Sequence, residues 1–259
     1  MQGVQSHKGL LSSLHLATWS VLRRALLFPY QVFIIVCFLP LTYFWGAVSY
    51  GASLLDGNLA HRCIRQWART SLALAGLRVH IEGQERINPQ NTYIFMPNHA
   101  SFLDTLLALA YIPCNFRNII KEEVFSIPLL GLVLRRSGEI ALDRKNPWKA
   151  LRSLRRSADL LKKGISIVVF PEGTRSPNGE IQEFKTALFI LPIRSRISVA
   201  PVRIEGTFRA LKRGTILLNP VPLKLTFYDP IPADSFEVRD RDIYAEKVRR
   251  VLGGLQHLG

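Results

Sequence analysis

The 259 residues, 48% of them hydrophobic, are enough for one substantial core with a small appendage and too few for two large domains. A formal charge of +15 implies a polyanionic partner, whether nucleic acid, an anionic membrane surface or an acidic protein. Cys37, Cys63 and Cys114 are scattered without a C-x-x-C pair, and His7, His15, His61, His80 and His257 lack ligand spacing, so neither a disulfide framework nor a metal site is expected.

From the amino end, residues 25–51 contain no Asp, Glu, Lys, Arg or His. A helix needs about 20 apolar residues to cross a bilayer, so this run is long enough to span or enter a membrane. Arg23 and Arg24 precede it and, by the positive-inside tendency, put that end in the cytoplasm. Pro29 and Pro40 complicate a single straight helix, while Tyr43, Phe44, Trp45 and Tyr50 favour an interfacial position. The segment therefore either crosses or re-enters as two short helices in one leaflet. It is longer than a signal-peptide core and no small-residue cleavage site follows cleanly, so it is expected to be retained. Residues 58–77 then read as an amphipathic helix, with Ile64, Trp67, Ala68, Leu72 and Leu74 near one face and Arg62, Arg65 and Arg69 elsewhere.

An alternation of short apolar, β-branched runs with helical patterns follows. The runs are 77–81, 92–96, 116–120, 139–142, 165–170, 197–204 and 216–227; the helical patterns are 102–111, 124–136, 147–163, 183–192 and 240–252. This order predicts an α/β fold, a mainly parallel or mixed sheet flanked by helices behind an N-terminal hydrophobic helical membrane segment. Antiparallel pairing is allowed near Asn219-Pro-Val-Pro222. Residues 1–57 are expected to form the membrane-anchoring segment and residues 58–259 the α/β domain.

Ligands in open α/β sheets gather beyond the carboxyl ends of strands. Four loops there carry chemistry: residues 97–104, Lys121-Glu122-Glu123, Asp143-Arg144, and Pro171-Glu172-Gly173-Thr174-Arg175-Ser176. Ser101-x-x-Asp104 is a capping-box pattern that starts a helix at Phe102 and leaves His99 in the preceding turn. Asp104 can then fold back on the imidazole, fixing its tautomer and making the other nitrogen a general base. The alternative is that Asp104 only caps the helix and His99 is an ordinary loop residue. In the last loop, Gly173 lets the backbone pass close to a ligand, and Arg175 suits bidentate phosphate binding. A surface turn in which Glu172 pairs with Arg175 is the rival. Arg144 and Lys121 are weaker, each equally readable as a solvated strand-end charge. There is no complete Walker or G-x-G-x-x-G signature, and Ser166 in Gly164-Ile-Ser-Ile-Val168 lacks the second glycine of a nucleophile elbow.

Four ordered blocks carry a resemblance. Asn98-His99-x-Ser101-x-x-Asp104, then Ile127-Pro128-x-x-Gly131 leading to Gly138-x-Ile140-x-x-Asp143-Arg144, then Phe170-Pro-Glu-Gly-Thr-Arg-Ser176, then Ala200-Pro201-Val202 resemble the glycerolipid acyltransferase family, over about residues 70 to 210. The nearest member type is the 1-acyl-sn-glycerol-3-phosphate (lysophosphatidic acid) acyltransferase. The resemblance implies that His99 and Asp104 form the catalytic pair, that Glu172, Gly173, Thr174 and Arg175 bind the phosphorylated acceptor, and that Arg144 assists, with Lys121 and Ser101 as further candidates. Thr186 departs from it, standing where glycine is usual, and so does Arg203, where small or apolar residues are common.

The implied reaction moves an acyl group from acyl-CoA or acyl carrier protein to the sn-2 hydroxyl, giving phosphatidic acid, with no cofactor beyond that co-substrate. The expected partners are membrane lipids, lysophosphatidic acid and the acyl donor, not nucleic acid, at a membrane with the site facing the cytoplasm. The alternatives are the same fold acting on another lysolipid, or a non-catalytic lipid-binding protein. Arg135, Arg136, Lys145, Lys149, Arg152, Arg155, Arg156, Lys162 and Lys163 form a basic run suited to anionic headgroups or an acidic carrier protein. Backbone N–H groups of the loop before the Phe102 helix are the expected oxyanion donors.

Overall fold

The computed structural model describes residues 3–143 and 146–254. Helix α1 (Gly3–Ser53) runs unbroken through Pro29 and Pro40, so the complication these prolines pose for a single helix does not divide it into two. Each proline removes one intrahelical N–H, and side-chain bonds to the rest of the chain hold the turns around Pro29. The Tyr30 hydroxyl donates to the Ala75 carbonyl at 2.8 Å, and Gln31 exchanges bonds in both directions with the Leu218 backbone. Within α1, Leu27–Ser53 is the one helical stretch among the described residues long and apolar enough to cross a membrane, and most of its surface is exposed.

Asp56 caps helix α2 (Gly57–Leu74) by accepting from Leu59 N–H at 3.0 Å. α2 turns back along α1: Trp67 donates to Thr42 Oγ1 at 3.1 Å and its ring lies 6.2 Å from Phe38, while Arg136 sits over Tyr50 near the other end. The amphipathic pattern of residues 58–77 is borne out, with Ala60, Ile64, Ala68 and Leu72 buried.

Strands β1 (Val79–Glu82), β2 (Ile94–Pro97), β3 (Phe116–Lys121), β4 (Ile140–Leu142), β5 (Ser166–Val168), β6 (Val199–Glu205) and β7 (Leu223–Phe227) form one sheet in the order β1-β7-β6-β2-β5-β3-β4. β2 to β6 are mutually parallel; β7 is antiparallel to β6 and parallel to β1, so the sheet is mixed. Helices α2 and α3 (Phe102–Tyr111) cover the face carrying Phe95, Val168 and Ala200. The other face, with Ile94, Met96 and Ile167, packs against α5 (Pro147–Lys162), α6 (Ile190–Ser195) and α8 (Arg241–Leu252). Every residue of β2 is buried, as a central strand covered on both faces requires.

Three elements differ from the sequence expectation. The pattern at 124–136 breaks: Pro128 forces Ile127 into an extended backbone, and Leu129 has φ 60°, so α4 begins only at Leu130 (Leu130–Arg136). A Cβ on Gly131 would lie 2.0 Å from the Phe125 carbonyl oxygen, which explains a glycine in that block. The helix expected at 183–192 starts late, as a 3-10 turn at Thr186–Phe189 leading into α6. Its would-be first turn is held elsewhere, because Gln182 N–H donates to Glu172 and Lys185 N–H to the Pro171 carbonyl. The strand expected from 216 begins only at Leu223, after Pro220 and Pro222.

A buried polar couple ties α2 to the sheet. His61 Nδ1 lies 2.9 Å from Glu139 Oε1, and the other Glu139 oxygen accepts from the backbone and side chain of Asn118. Burial lowers the His61 pKa, against the pull of Glu139 in the opposite direction. The three cysteines are free.

Candidate active site

The carboxyl ends of β2, β5, β3 and β4 are consecutive neighbours in the sheet, so the four predicted loops stand side by side. Where β2 ends, Asn98 prolongs its ladder with a side chain: the amide donates to the Ile204 carbonyl at 2.9 Å and accepts from Ile204 N–H at 2.7 Å. The main chain is thereby released to turn, and His99 occupies the turn.

Ser101 caps α3 and the full capping box forms. Asp104, wholly buried, directs a single oxygen, Oδ2, at three donors: His99 Nδ1 at 3.0 Å and the backbone N–H groups of Ala100 and Ser101 at 2.6 Å each. A carboxylate only accepts, so Nδ1 carries the hydrogen and the lone pair is on Nε2 at the far edge of the ring. Asp104 Oδ1 is buried without a hydrogen-bond partner among the described residues. The carboxylate is thus both cap and imidazole partner, and the choice left open by the spacing resolves into both.

The turn after β5 closes on His99 from three directions. Phe170 stacks on the imidazole at a centroid distance of 4.0 Å, Glu172 Oε1 accepts from His99 N–H at 2.7 Å, and Ser176 N–H donates to the His99 carbonyl at 2.8 Å. Gly173 has φ 73°, a left-handed conformation that closes the Phe170–Gly173 turn. Glu172 Oε2 accepts from Gln182 N–H at 3.2 Å, so this buried carboxylate braces two backbone segments and does not pair with Arg175. Burial pushes the Glu172 carboxyl up to about 7; the bonds from His99 and Gln182 pull the other way, and the nearby Asp104 charge adds to the rise. Thr174 is exposed and Arg175 half-buried.

The remaining candidates are placed less directly. Ser101 is fully buried, donating to the Leu211 carbonyl at 2.7 Å and accepting from Leu103 N–H, so both its bonds are internal. Lys121 ends β3 with an exposed ammonium paired to Glu123 at 2.9 Å. Arg144 lies outside the described residues. The expected oxyanion donors are otherwise engaged: the N–H groups of His99, Ala100 and Ser101 all go to the two carboxylates. A cleft of about 460 Å³ lies beside Glu172 and Thr174 and is lined also by Gln182 and Lys185, but neither His99 nor Arg175 borders it.

A fifth loop went unforeseen. β6 also runs parallel to β2, and its continuation through α7 (Thr207–Ala210) returns Leu211 to Ser101 and Arg213 to the Arg175 carbonyl, at 3.3 Å. The parallel run at 197–204 was the available signal, since its carboxyl end had to open on the same side.

Comparison with known proteins agrees with this geometry. The Acyltransferase family model matches residues 78–205, from just before β1 to the end of β6. Residues 78–205 belong to the acyltransferase family. This acyltransferase domain thus includes all five loops' strands. The chain is 31% identical over 179 residues to a 1-acyl-sn-glycerol-3-phosphate acyltransferase of Limnanthes alba, covering 69% of this chain and 63% of that one. It is 30% identical over 177 residues to the human 1-acyl-sn-glycerol-3-phosphate acyltransferase alpha, covering 64% and 62%. Each match spans under two thirds of the relative's own length. The crystal structure of the 1-acyl-sn-glycerophosphate acyltransferase PlsC from Thermotoga maritima superposes with a TM-score of 0.73 at 27% identity, over 92% of this chain and 98% of that one.

Proposed function

We propose that this acyltransferase moves a fatty acyl group from a thioester, acyl-CoA or acyl carrier protein, to the sn-2 hydroxyl of 1-acyl-sn-glycerol-3-phosphate, forming phosphatidic acid. The observation that carries the reading is the single Asp104 oxygen that fixes His99 Nδ1 as donor, beside a turn bearing Arg175. Nε2 takes the hydroxyl proton as the oxygen attacks the thioester carbonyl; the tetrahedral intermediate collapses, and the departing thiolate recovers the proton from the imidazolium. No acyl-enzyme is required. The Asp104 carboxylate stabilises the imidazolium while it lasts. With the loop amides before α3 committed, charge on the carbonyl oxygen is met from the side of the Phe170–Ser176 turn.

Arg175 holds the acceptor phosphate, and Gly173 and Thr174 shape the approach to it. Glu172 serves this site by holding the His99 loop against the turn. Lys121 and Arg144, on the next two strands, extend the cationic side. We assign residues 1–57 to membrane anchoring and residues 58–259 to the α/β domain, with the site facing the cytoplasm. The apolar surface of Leu27–Ser53 supports the membrane part of this assignment. No cofactor beyond the acyl donor is required by the proposed steps.

The test is purified protein in detergent given lysophosphatidic acid with acyl-CoA or with acyl carrier protein, following phosphatidic acid and free thiol together. Product from either donor supports the reading; acylation of other lysolipids with none of lysophosphatidic acid would replace the acceptor.

A further inference from the structure

Because β7 runs antiparallel to β6, with Glu205 opposite Lys224, the whole connection between them stays on the edge of the sheet where the candidate site lies. Its middle is built unlike a water-facing turn. Ile216 is 72% and Leu217 57% exposed, two large aliphatic side chains in succession, while Leu218 is buried. Arg209, Lys212 and Arg213 precede them, all exposed.

This loop is fastened at both ends. Gln31 of α1 grips the Leu218 backbone, accepting from its N–H at 2.9 Å and donating to its carbonyl. The same stretch of α1 exposes Phe28, Val32 and Phe33. At the other end, Leu211 accepts from Ser101, and Arg213 donates to the Arg175 carbonyl. The apolar tip is thus anchored to the membrane helix, and its basic stem to the turn that carries the acceptor's cation.

Resting on the membrane acyltransferase reading above, we propose that residues 211–218 are a second membrane contact, separate from α1, which presses Ile216 and Leu217 into the acyl boundary while Arg209, Lys212 and Arg213 meet anionic headgroups. An apolar tip with flanking cations is the composition that sits at a lipid–water boundary. Continuity with α1 identifies the occupant as a bilayer, since a protein docked on the tip would have to share it with the lipid around Phe28 and Val32. The contact sets the mouth of the site at headgroup level, so a lysolipid moves from the leaflet to Arg175 without its acyl chain entering water.

The full chain reconstituted in vesicles of phosphatidylcholine and phosphatidylglycerol, with a photoreactive benzophenone amino acid at one position, tests this. Position 216 is expected to form lipid adducts as position 36 of α1 does, and the exposed position 229 is not. Adducts at 36 without adducts at 216, or equal labelling at 216 and 229, overturn the loop's role; no adducts at 36 overturn the membrane reading itself. The double variant Ile216→Glu, Leu217→Glu gives the functional arm. On lysophosphatidic acid presented in vesicles its kcat/KM is expected to fall on the order of ten- to hundredfold, from two aliphatic groups removed from lipid. On a short-chain, water-soluble acceptor it should match the unsubstituted protein. Equal loss on both acceptors, or none on vesicles, overturns the proposal; no acylation of either acceptor by the unsubstituted protein overturns the underlying function.

Discussion

The backbone N–H of His99 is bonded to the carboxylate of Glu172, 73 positions later in the chain, at 2.7 Å. The link makes the turn after β5 a support for the imidazole, and it makes the His99 loop sensitive to the protonation of the Glu172 carboxyl. The unfolded carboxyl titrates near 4.5 and the folded one near 7, so across this interval the fold holds a proton that the unfolded chain has released. Stability from this group is full below the lower value and falls by about 1.4 kcal/mol per pH unit until the upper one is passed. Activity runs the other way, because an ionised carboxylate accepts more strongly. Denaturant midpoints measured from mildly acidic to mildly basic pH should show this slope in the unsubstituted protein and lose it in Glu172→Gln.

His99→Ala should lower kcat by about 10²–10⁴-fold, the usual worth of general-base help, with vesicle binding unchanged. Asp104→Asn should approach the same loss and also destabilise, since an amide oxygen in the Oδ2 place is an uncharged, weaker acceptor for the three N–H groups, and the amide nitrogen in the Oδ1 place would be buried with no acceptor among the described residues. Thermal melts beside steady-state rates separate the two effects. A His99→Ala protein with full activity would remove the proposed base.

Arg175→Ala is expected to raise KM for lysophosphatidic acid chiefly, with little change on an acceptor that lacks phosphate. Paired kinetics on the two acceptors decide it. Equal losses would mark a folding defect instead.

On α2, Arg65 donates its guanidinium hydrogens to the carbonyls of Leu109, Ile112 and Cys114, closing the end of α3 opposite to Asp104. Lysine has charge there but no planar fork. Arg65→Lys should therefore cost about 1–3 kcal/mol in unfolding free energy for the carbonyls left unmatched, read by urea titration, with kcat per folded molecule nearly kept.

How far the sequence disclosed these features depended on distance along the chain. The Ser101–Asp104 capping box and its effect on His99 were legible because one short run of chain, His99 to Asp104, contains all the parts. The succession of strands and helices and the mainly parallel sheet followed from hydrophobic runs, whereas the spatial order β6-β2-β5-β3-β4 rests on pairings between distant segments that no local pattern records. By contrast, the helix expected from Glu183 lost its start to Glu172 and Pro171, acceptors about ten residues upstream that no periodicity records. The engagement of the His99 amide by Glu172 was hidden for the same reason, and so was the return of Leu211 to Ser101 across 110 positions. Arg203, out of place by pattern, is explained by geometry: it donates to the Leu252 carbonyl at the end of α8 and pairs with Glu205.

Asn98 ends the strand before the imidazole with a side chain that imitates a peptide group. Its reach matches one more rung, so a carboxylate of equal length would set oxygen against oxygen at Ile204, and glutamine would push the corner outward by a methylene. The neighbouring histidine is therefore positioned by a component that is interchangeable with backbone in chemistry but not in length, and the tolerance of this corner to substitution is set by geometry before any reaction is considered.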